Sequence, residues 1–286
     1  MSYFEIKTKH LTLKITLEEV SKLHIHEEII PEMYEKLVEK IKQDGFFKDP
    51  VIVDEKTLVV LDGMHRVAAA QTLRFPYMPV CLIDYDNPEV KLKSWCRAVV
   101  KASGKIDEVL SAIREVGLEV DGLNDISVAF DLLKSRKIIV AVVDGKSLFV
   151  VKSPVNDIKS IYDWIKRVEN ALKDKGYEVK YITEEEAFEL AKSGQVVASL
   201  ITPVITKEEV RSVALRGEVF IHKATRHIVP ARPMNVRVPL EWLDGSIPLD
   251  RARKLLTDYL ERRRIRTLPP GTVLDRRYDE ELFVFE

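Results

Sequence analysis

The sequence predicts a mixed α/β fold in two units. Short β-branched runs joined by tight polar turns alternate with stretches whose apolar residues recur at helical spacing. The pattern changes after Ser103-Gly104, which sets a first unit over about 1–100 and a second over about 101–245. With 286 residues, 46% of them apolar, the chain has material enough for real cores.

The elements follow in order. Leu11 to Leu17 alternates and reads as a strand. Tyr34, Leu37, Val38 and Ile41 share one helix face, and Gly45 ends that helix. Val51-Ile52-Val53 and Leu58 to Leu61 flank the polar turn Asp54 to Thr57, a hairpin signal. Val67 to Leu73 is Ala-rich and helical, stopped near Pro76. Val80 to Asp84 is the next strand. In the second unit, Ile106, Val109, Leu110, Ile113 and Val116 space a helix that Gly117 terminates. Ile138 to Val143 and Ser147 to Val151 form a hairpin around Asp144-Gly145. Ile161 to Lys175 is an amphipathic helix ended by Gly176. Val179 to Ile182 and Val196 to Ile201 read as strands, and Glu184 to Lys192 and Lys207 to Leu215 as helices. Beyond that, Ile247 to Arg266 reads as one basic helix. Pro269-Pro270-Gly271 breaks it, and Glu280 to Glu286 is a last short strand. This 246–286 stretch is expected to be a basic helical extension.

Composition narrows the function. Net charge is −1, so a nucleic-acid role would have to rest on a local patch such as Arg262-Arg263-Arg264 and Arg266. No apolar run reaches the length of a membrane span, and Met1 to Lys14 lacks the pattern of a signal peptide. A cytoplasmic protein is expected. Cys81 and Cys96 cannot form a disulfide framework, and Cys81, within Val80-Cys81-Leu82-Ile83, reads as a core thiol. Charged residues reach 32%, against three glutamines, a bias that fits a thermophile.

The strongest local signal is Leu58-Val59-Val60-Leu61-Asp62-Gly63-Met64-His65-Arg66. A strand ends in a carboxylate, a glycine turns, and a helix opens with His and Arg. Helix N-termini present unpaired N–H groups and partial positive charge, and Gly63 lets a phosphate approach the backbone. Arg66 offers a planar donor fork, His65 a donor to a phosphoryl oxygen, and Asp62 a ligand for a phosphate-bridging magnesium ion. A purely structural role for each is the competing reading: Asp62 as a helix cap, Arg66 as a surface ion pair.

This turn resembles the ParB/sulfiredoxin superfamily, in which it binds nucleotide phosphates. Sulfiredoxins carry a reactive cysteine just before the His-Arg pair. Met64 stands there in this chain, and a thioether cannot act as a thiolate nucleophile. The closer resemblance, over most of residues 15 to 245, is to the archaeal free serine kinases. It is carried by Leu23-His24-Ile25-His26-Glu27-Glu28, by Asp62-Gly63-Met64-His65-Arg66, and by Gly217 to Phe220 with Thr225-Arg226-His227-Ile228-Val229-Pro230. The family more usually has a histidine where Met64 stands.

The resemblance implies a kinase that moves a phosphoryl group from a purine nucleotide to free L-serine, giving O-phospho-L-serine for cysteine biosynthesis. It places the catalytic glutamate on Glu27, with Asp62 and His65 beside it. Gly63, Met64, His65 and Arg66 fall at the phosphates, Mg2+ on Asp62, and Trp95, Thr225, Arg226 and His227 at the amino acid. Trp95 reads equally as a core tryptophan. The family contains ATP-using and ADP-using members, and ATP is expected here as the commoner donor. Segments so far apart in sequence imply an interdomain cleft. The rival is a ParB-like nucleotide-dependent DNA-binding or regulatory protein.

Overall fold

In the computed structural model, which describes residues 2–286, the chain forms two compact units, each discontinuous in sequence. The first comprises the chain up to Lys91, Val210–Val219 and His227–Glu286. The second comprises Leu92–Glu209 and Phe220–Arg226. The expected boundary near residue 100 therefore falls at Lys91, and the tail is part of the first unit rather than an appendage.

The first unit is built on a five-stranded sheet in the order Phe4–Lys7, Thr12–Glu19, Tyr77–Ile83, Val51–Asp54, Val60–Asp62. Val51–Asp54 runs parallel to Tyr77–Ile83, and the other pairs are antiparallel. Helices Pro31–Asp44 and Met64–Thr72 connect these strands. Along Thr12–Glu19, Leu13, Ile15 and Leu17 have no exposed surface, each contributing about 1.5–3 kcal/mol by burial. Cys81 is buried too, and burial pushes its thiol up to about 12.

The opposite face of Thr12–Glu19 explains the tail. Thr16 and Glu18 alternate with the leucines yet are buried, because helix Leu249–Glu261 covers them with Ala252, Leu256 and Leu260, all fully buried. Arg253 of that helix donates through Nε to the Leu17 carbonyl (2.9 Å) and through Nη2 to Glu18 Oε1 (2.8 Å). The helix ends at Glu261, five residues short of the expected end. Ile265–Leu268 is instead a strand, pairing antiparallel with Glu281–Phe285, which runs parallel to Ala231–Met234. Pairing of Ile265–Leu268 with Glu281–Phe285 outweighs the helical preference of an arginine run.

The second unit is a six-stranded, wholly antiparallel sheet in the order Glu178–Ile182, Cys96–Val100, Ala198–Ile201, Ile138–Val143, Leu148–Lys152, Val120–Leu123. Four helices accompany it, Ile106–Glu115, Ile126–Lys134, Ile158–Asp174 and Glu184–Lys192. Ile126–Lys134 escaped the sequence reading, although Asp125 caps it in a readable way by accepting from the Ser127 N–H.

Two outcomes follow for stability. Arg253→Met removes the arginine that pairs with buried Glu18 and is expected to cost about 3–5 kcal/mol in urea unfolding. A second concerns His26, which has no exposed surface and donates through Nδ1 to the Val60 carbonyl (2.7 Å). Burial lowers its pKa, so the unfolded chain takes the proton first. His26 therefore supports the fold above pH ~6.5, and that support is lost as pH falls below it. His26→Asn retains a donor, and urea unfolding at pH 7.5 and 5.5 is expected to show a shallower pH slope than in the wild type.

Candidate active site

The signature turn folds as its residues require. Strand Val60–Asp62 ends on the carboxylate, Gly63 caps helix Met64–Thr72 with φ of 101°, and the helix begins at Met64. A Cβ on Gly63 would sit 2.7 Å from both Arg66 Nη2 and Val51 Cγ1. Backbone conformation and space together demand glycine. The Gly63 carbonyl accepts from the Arg66 and Val67 N–H groups (2.8 and 3.2 Å), and the helix N-terminus at Met64 carries the partial positive charge of the helix dipole.

Arg66 is mostly committed to the scaffold. Its Nη1 donates to the carbonyls of Asp49 (3.2 Å) and Pro50 (3.0 Å), and its Nη2 to Asp62 Oδ2 (3.3 Å). The same Asp62 oxygen accepts from Arg232 Nη1, whose Nε donates to Glu280 (2.8 Å). Partial burial would raise the Asp62 carboxyl. Arg232 and then Arg66 outweigh that and hold it well below the usual carboxylate range. Both ends of this chain of ion pairs are in the first unit: the signature turn at one end, the tail at the other.

Glu27 reaches the same neighbourhood through the backbone. His24 and Val59 form a parallel bridge, with the His24 N–H donating to the Leu58 carbonyl (3.0 Å) and the Val60 N–H to the His24 carbonyl (2.9 Å). Glu27 is 5% exposed. His65 closes the arrangement. The Ile30 N–H donates to His65 Nε2 at 3.1 Å. A backbone amide can only donate, so Nε2 accepts and, in the neutral ring, the proton sits on Nδ1. The signature helix is thereby tied to the N-cap of helix Pro31–Asp44, three residues past Glu27.

The third segment is divided. His227 lies in the first unit, with Nε2 2.7 Å from the hydroxyl of fully buried Tyr85 and its ring edge-on to His26 at 5.2 Å between centroids. Arg211 stacks over Tyr85 and pairs with buried Asp54 (2.9 Å) and with Asp86 (2.6 Å). Thr225 and Arg226 lie in the second unit with Trp95. There the Arg226 guanidinium stands 5.3 Å over the Trp95 ring, and the Lys223 ammonium 5.0 Å. Trp95 is half-buried and its carbonyl accepts from Thr202 Oγ1 (3.0 Å), so it has a packing role alongside an accessible face.

A cavity of about 330 Å³ opens at the signature turn, within the first unit. Asp62, Gly63, His65 and Arg66 line one side; Arg232, Arg276 and Tyr278 line another, with Leu37 and Asp49 between. Met64 and Glu27 are not among its walls. Sequence reasoning missed Arg232, Arg276, Tyr278, Glu280, Tyr85 and Arg211. Arg232 stands two residues after the quoted Thr225–Pro230 run and could have been considered. Asp275 to Asp279 reads as an ordinary charged loop and gave no such signal.

Magnesium can be tested against these groups. Among the described residues no cluster of three or more His, Cys, Asp or Glu gathers as a cation cage. Magnesium needs none when it arrives on nucleotide phosphates, where one carboxylate commonly suffices. Both guanidinium contacts fall on Asp62 Oδ2, and the side chain is 42% exposed. The residues present fit an ion carried by substrate phosphates.

No family model matches the chain. An ATP-dependent L-serine kinase of Staphylothermus marinus is 33% identical over 251 residues, covering 83% of this chain and 94% of that protein. An ADP-dependent L-serine kinase of Thermococcus kodakarensis is 29% identical over 229 residues, covering 79% and 91%. A ParB-like protein of Sulfolobus acidocaldarius is 27% identical over 224 residues. Among solved structures, a free serine kinase in complex with AMP superposes with a TM-score of 0.66 at 27% identity, covering 80% of this chain and 93% of that one. Identity of this extent over nearly the whole of the relative, together with a shared fold, places the chain in the L-serine kinase family.

Proposed function

We propose that the chain transfers a phosphoryl group from ATP, or alternatively ADP, to the hydroxyl of free L-serine, giving O-phospho-L-serine. The observation that carries this reading is the cationic cavity at the Asp62–Arg66 turn in a member of the L-serine kinase family. The bond from the serine oxygen to the terminal phosphorus forms, and the bond from that phosphorus to the bridging oxygen breaks. The serine proton must leave as attack proceeds, and buried Glu27 is the carboxylate assigned to accept it.

The remaining work is positioning and charge neutralisation. Gly63 and the helix opening at Met64 present backbone N–H groups to the phosphates. His65, with Nε2 occupied by the Ile30 N–H, donates from Nδ1. Arg66 orders Asp49, Pro50 and Asp62 and adds its charge from the cavity wall. Asp62 is assigned to magnesium, which when bound adds Lewis-acid neutralisation of the phosphate oxygens. Trp95, Thr225, Arg226 and His227 are assigned to the amino acid, with Arg226 as the natural partner of its carboxylate. Such a reaction draws on cytoplasmic nucleotide, and its product suits cysteine biosynthesis.

The ParB-like relative keeps nucleotide-dependent DNA binding as a second reading. The basic run argues less for it than sequence alone suggested. Arg263 is spent on the Val236 carbonyl (2.8 Å), the Tyr259 hydroxyl and the ring of Phe285.

Phosphoserine formation from L-serine and magnesium, with ATP and ADP supplied separately, tests the reading. Glu27→Gln is expected to lower turnover by about 10²–10⁴-fold with little change in nucleotide affinity. No phosphoserine from the wild type with either nucleotide overturns the kinase assignment and favours salt-sensitive DNA binding instead. Gly63→Ala is expected to lower both the thermal midpoint and nucleotide affinity, because its Cβ meets Arg66 and Val51. Unchanged affinity would show that the phosphates lie elsewhere.

A further inference from the structure

Three arginines line the cavity at the signature turn, and they differ in how far the protein has already used them. Arg66 gives Nη1 to two backbone carbonyls and Nη2 to Asp62. Arg232, with 12% of its side chain exposed, is shared between Asp62 and Glu280. Arg276 is different. Its side chain is 54% exposed, and its one carboxylate contact is long, 3.5 Å to the Glu280 oxygen that Arg232 Nε already holds at 2.8 Å. A second donor reaches the Arg277 carbonyl at 3.3 Å.

Arg276 is nevertheless held in place. Its guanidinium lies 4.0 Å from the centroid of the Tyr278 ring, and Tyr278 is buried, its hydroxyl donating to Asp275 at 2.9 Å. Stacking fixes the guanidinium plane and leaves its N–H edge for a planar or tetrahedral anion. The short hairpin of Thr272–Val273 and Arg277–Tyr278 carries it, and the chain then continues into Glu281–Phe285, anchored beside Ala231–Met234. Within the cavity wall, the charges of Arg66 and Arg232 are offset by Asp62, Glu280 and backbone carbonyls. Asp49 also lines the wall, and of the three arginines Arg276 has the most exposed side chain.

We propose that Arg276 is a nucleotide-binding residue, gripping the phosphates beyond the first, so that the C-terminal hairpin is part of the donor site. The inference rests on the kinase reading and deepens it: the added cation favours donors with longer phosphate chains. It assigns the tail a function that its sequence did not suggest.

The test is calorimetric titration of the full-length protein with ATP and with AMP, comparing wild type, Arg276→Ala and Arg276→Lys, with thermal midpoints as a folding control. Arg276→Ala is expected to weaken ATP binding about tenfold and AMP binding less than about twofold, as for loss of one charge-assisted contact. Arg276→Lys should fall between, since it keeps the charge and loses the fork. ATP affinity unchanged in Arg276→Ala, or ATP and AMP weakened equally, overturns the proposal; the latter would mean that Arg276 only shapes the cavity. Wild-type protein that binds no nucleotide and makes no phosphoserine rejects the kinase reading itself, and the inference falls with it.

Discussion

The carboxylate of Asp62 joins the two parts of the sequence on which the candidate site depends. One of its guanidinium partners, Arg66, is a helical turn away. The other, Arg232, is 170 residues later and is itself held by Glu280 near the C-terminus. Without Arg232, the ion pair that joins the signature turn to the tail would be lost, and Glu280 would keep only its longer contact to Arg276. Without Asp62, two buried or half-buried guanidinium groups would repel across the cavity. The single carboxylate thus sets both where the turn sits and which sign of ligand the cavity accepts. The cavity lining then carries the guanidinium groups of Arg66, Arg232 and Arg276 against the carboxylates of Asp49 and Asp62.

The legibility of the sequence follows from the range of the interactions. The strand–turn–helix at Asp62-Gly63 was readable because its determinants lie within five residues: a carboxylate ending a strand, a glycine with positive φ, and a helix opening with His and Arg. Both hairpins and most helix ends were readable for the same reason. The tail was not. Nothing near Ile265 announces that it will pair with Phe285, and nothing in Thr12–Glu19 reveals that Glu18 will be met by Arg253. Alternation in that strand suggested one buried face; a helix some 235 residues downstream buries the other. The resemblance alone singled out Glu27, which local pattern would have left an exposed acid near a helix start and which is buried.

The histidines show how burial converts sequence into chemistry. His26 and His65 are both fixed in the Nδ1–H tautomer by the backbone, one as donor and the other as acceptor. His26 donates its Nδ1–H to a carbonyl, whereas His65 accepts at Nε2 from an amide N–H. The first docks the His24–Glu27 segment on the strand leading to Asp62. The second fixes the helix after Asp62 against Ile30. Glu27 lies between these two anchors, so its position depends on hydrogen bonds that neither motif reveals on its own. Met64, which opens the signature helix, takes part in neither bond.

This arrangement separates groups that hold the site from groups left to act in it. Arg66, Arg232 and His26 are occupied on the protein side and cannot reorganise cheaply when a ligand arrives. The helix opening follows the Asp62–Gly63 turn that Arg66 and Arg232 hold, and the guanidinium of Arg276 is set by the Tyr278 ring. Donors whose orientation is fixed before the ligand binds lose little entropy on meeting it, and stabilise developing charge without reorganising. The distant Glu280–Arg232 pair therefore bears on chemistry at the signature turn through the position of Asp62, although neither residue need touch a substrate.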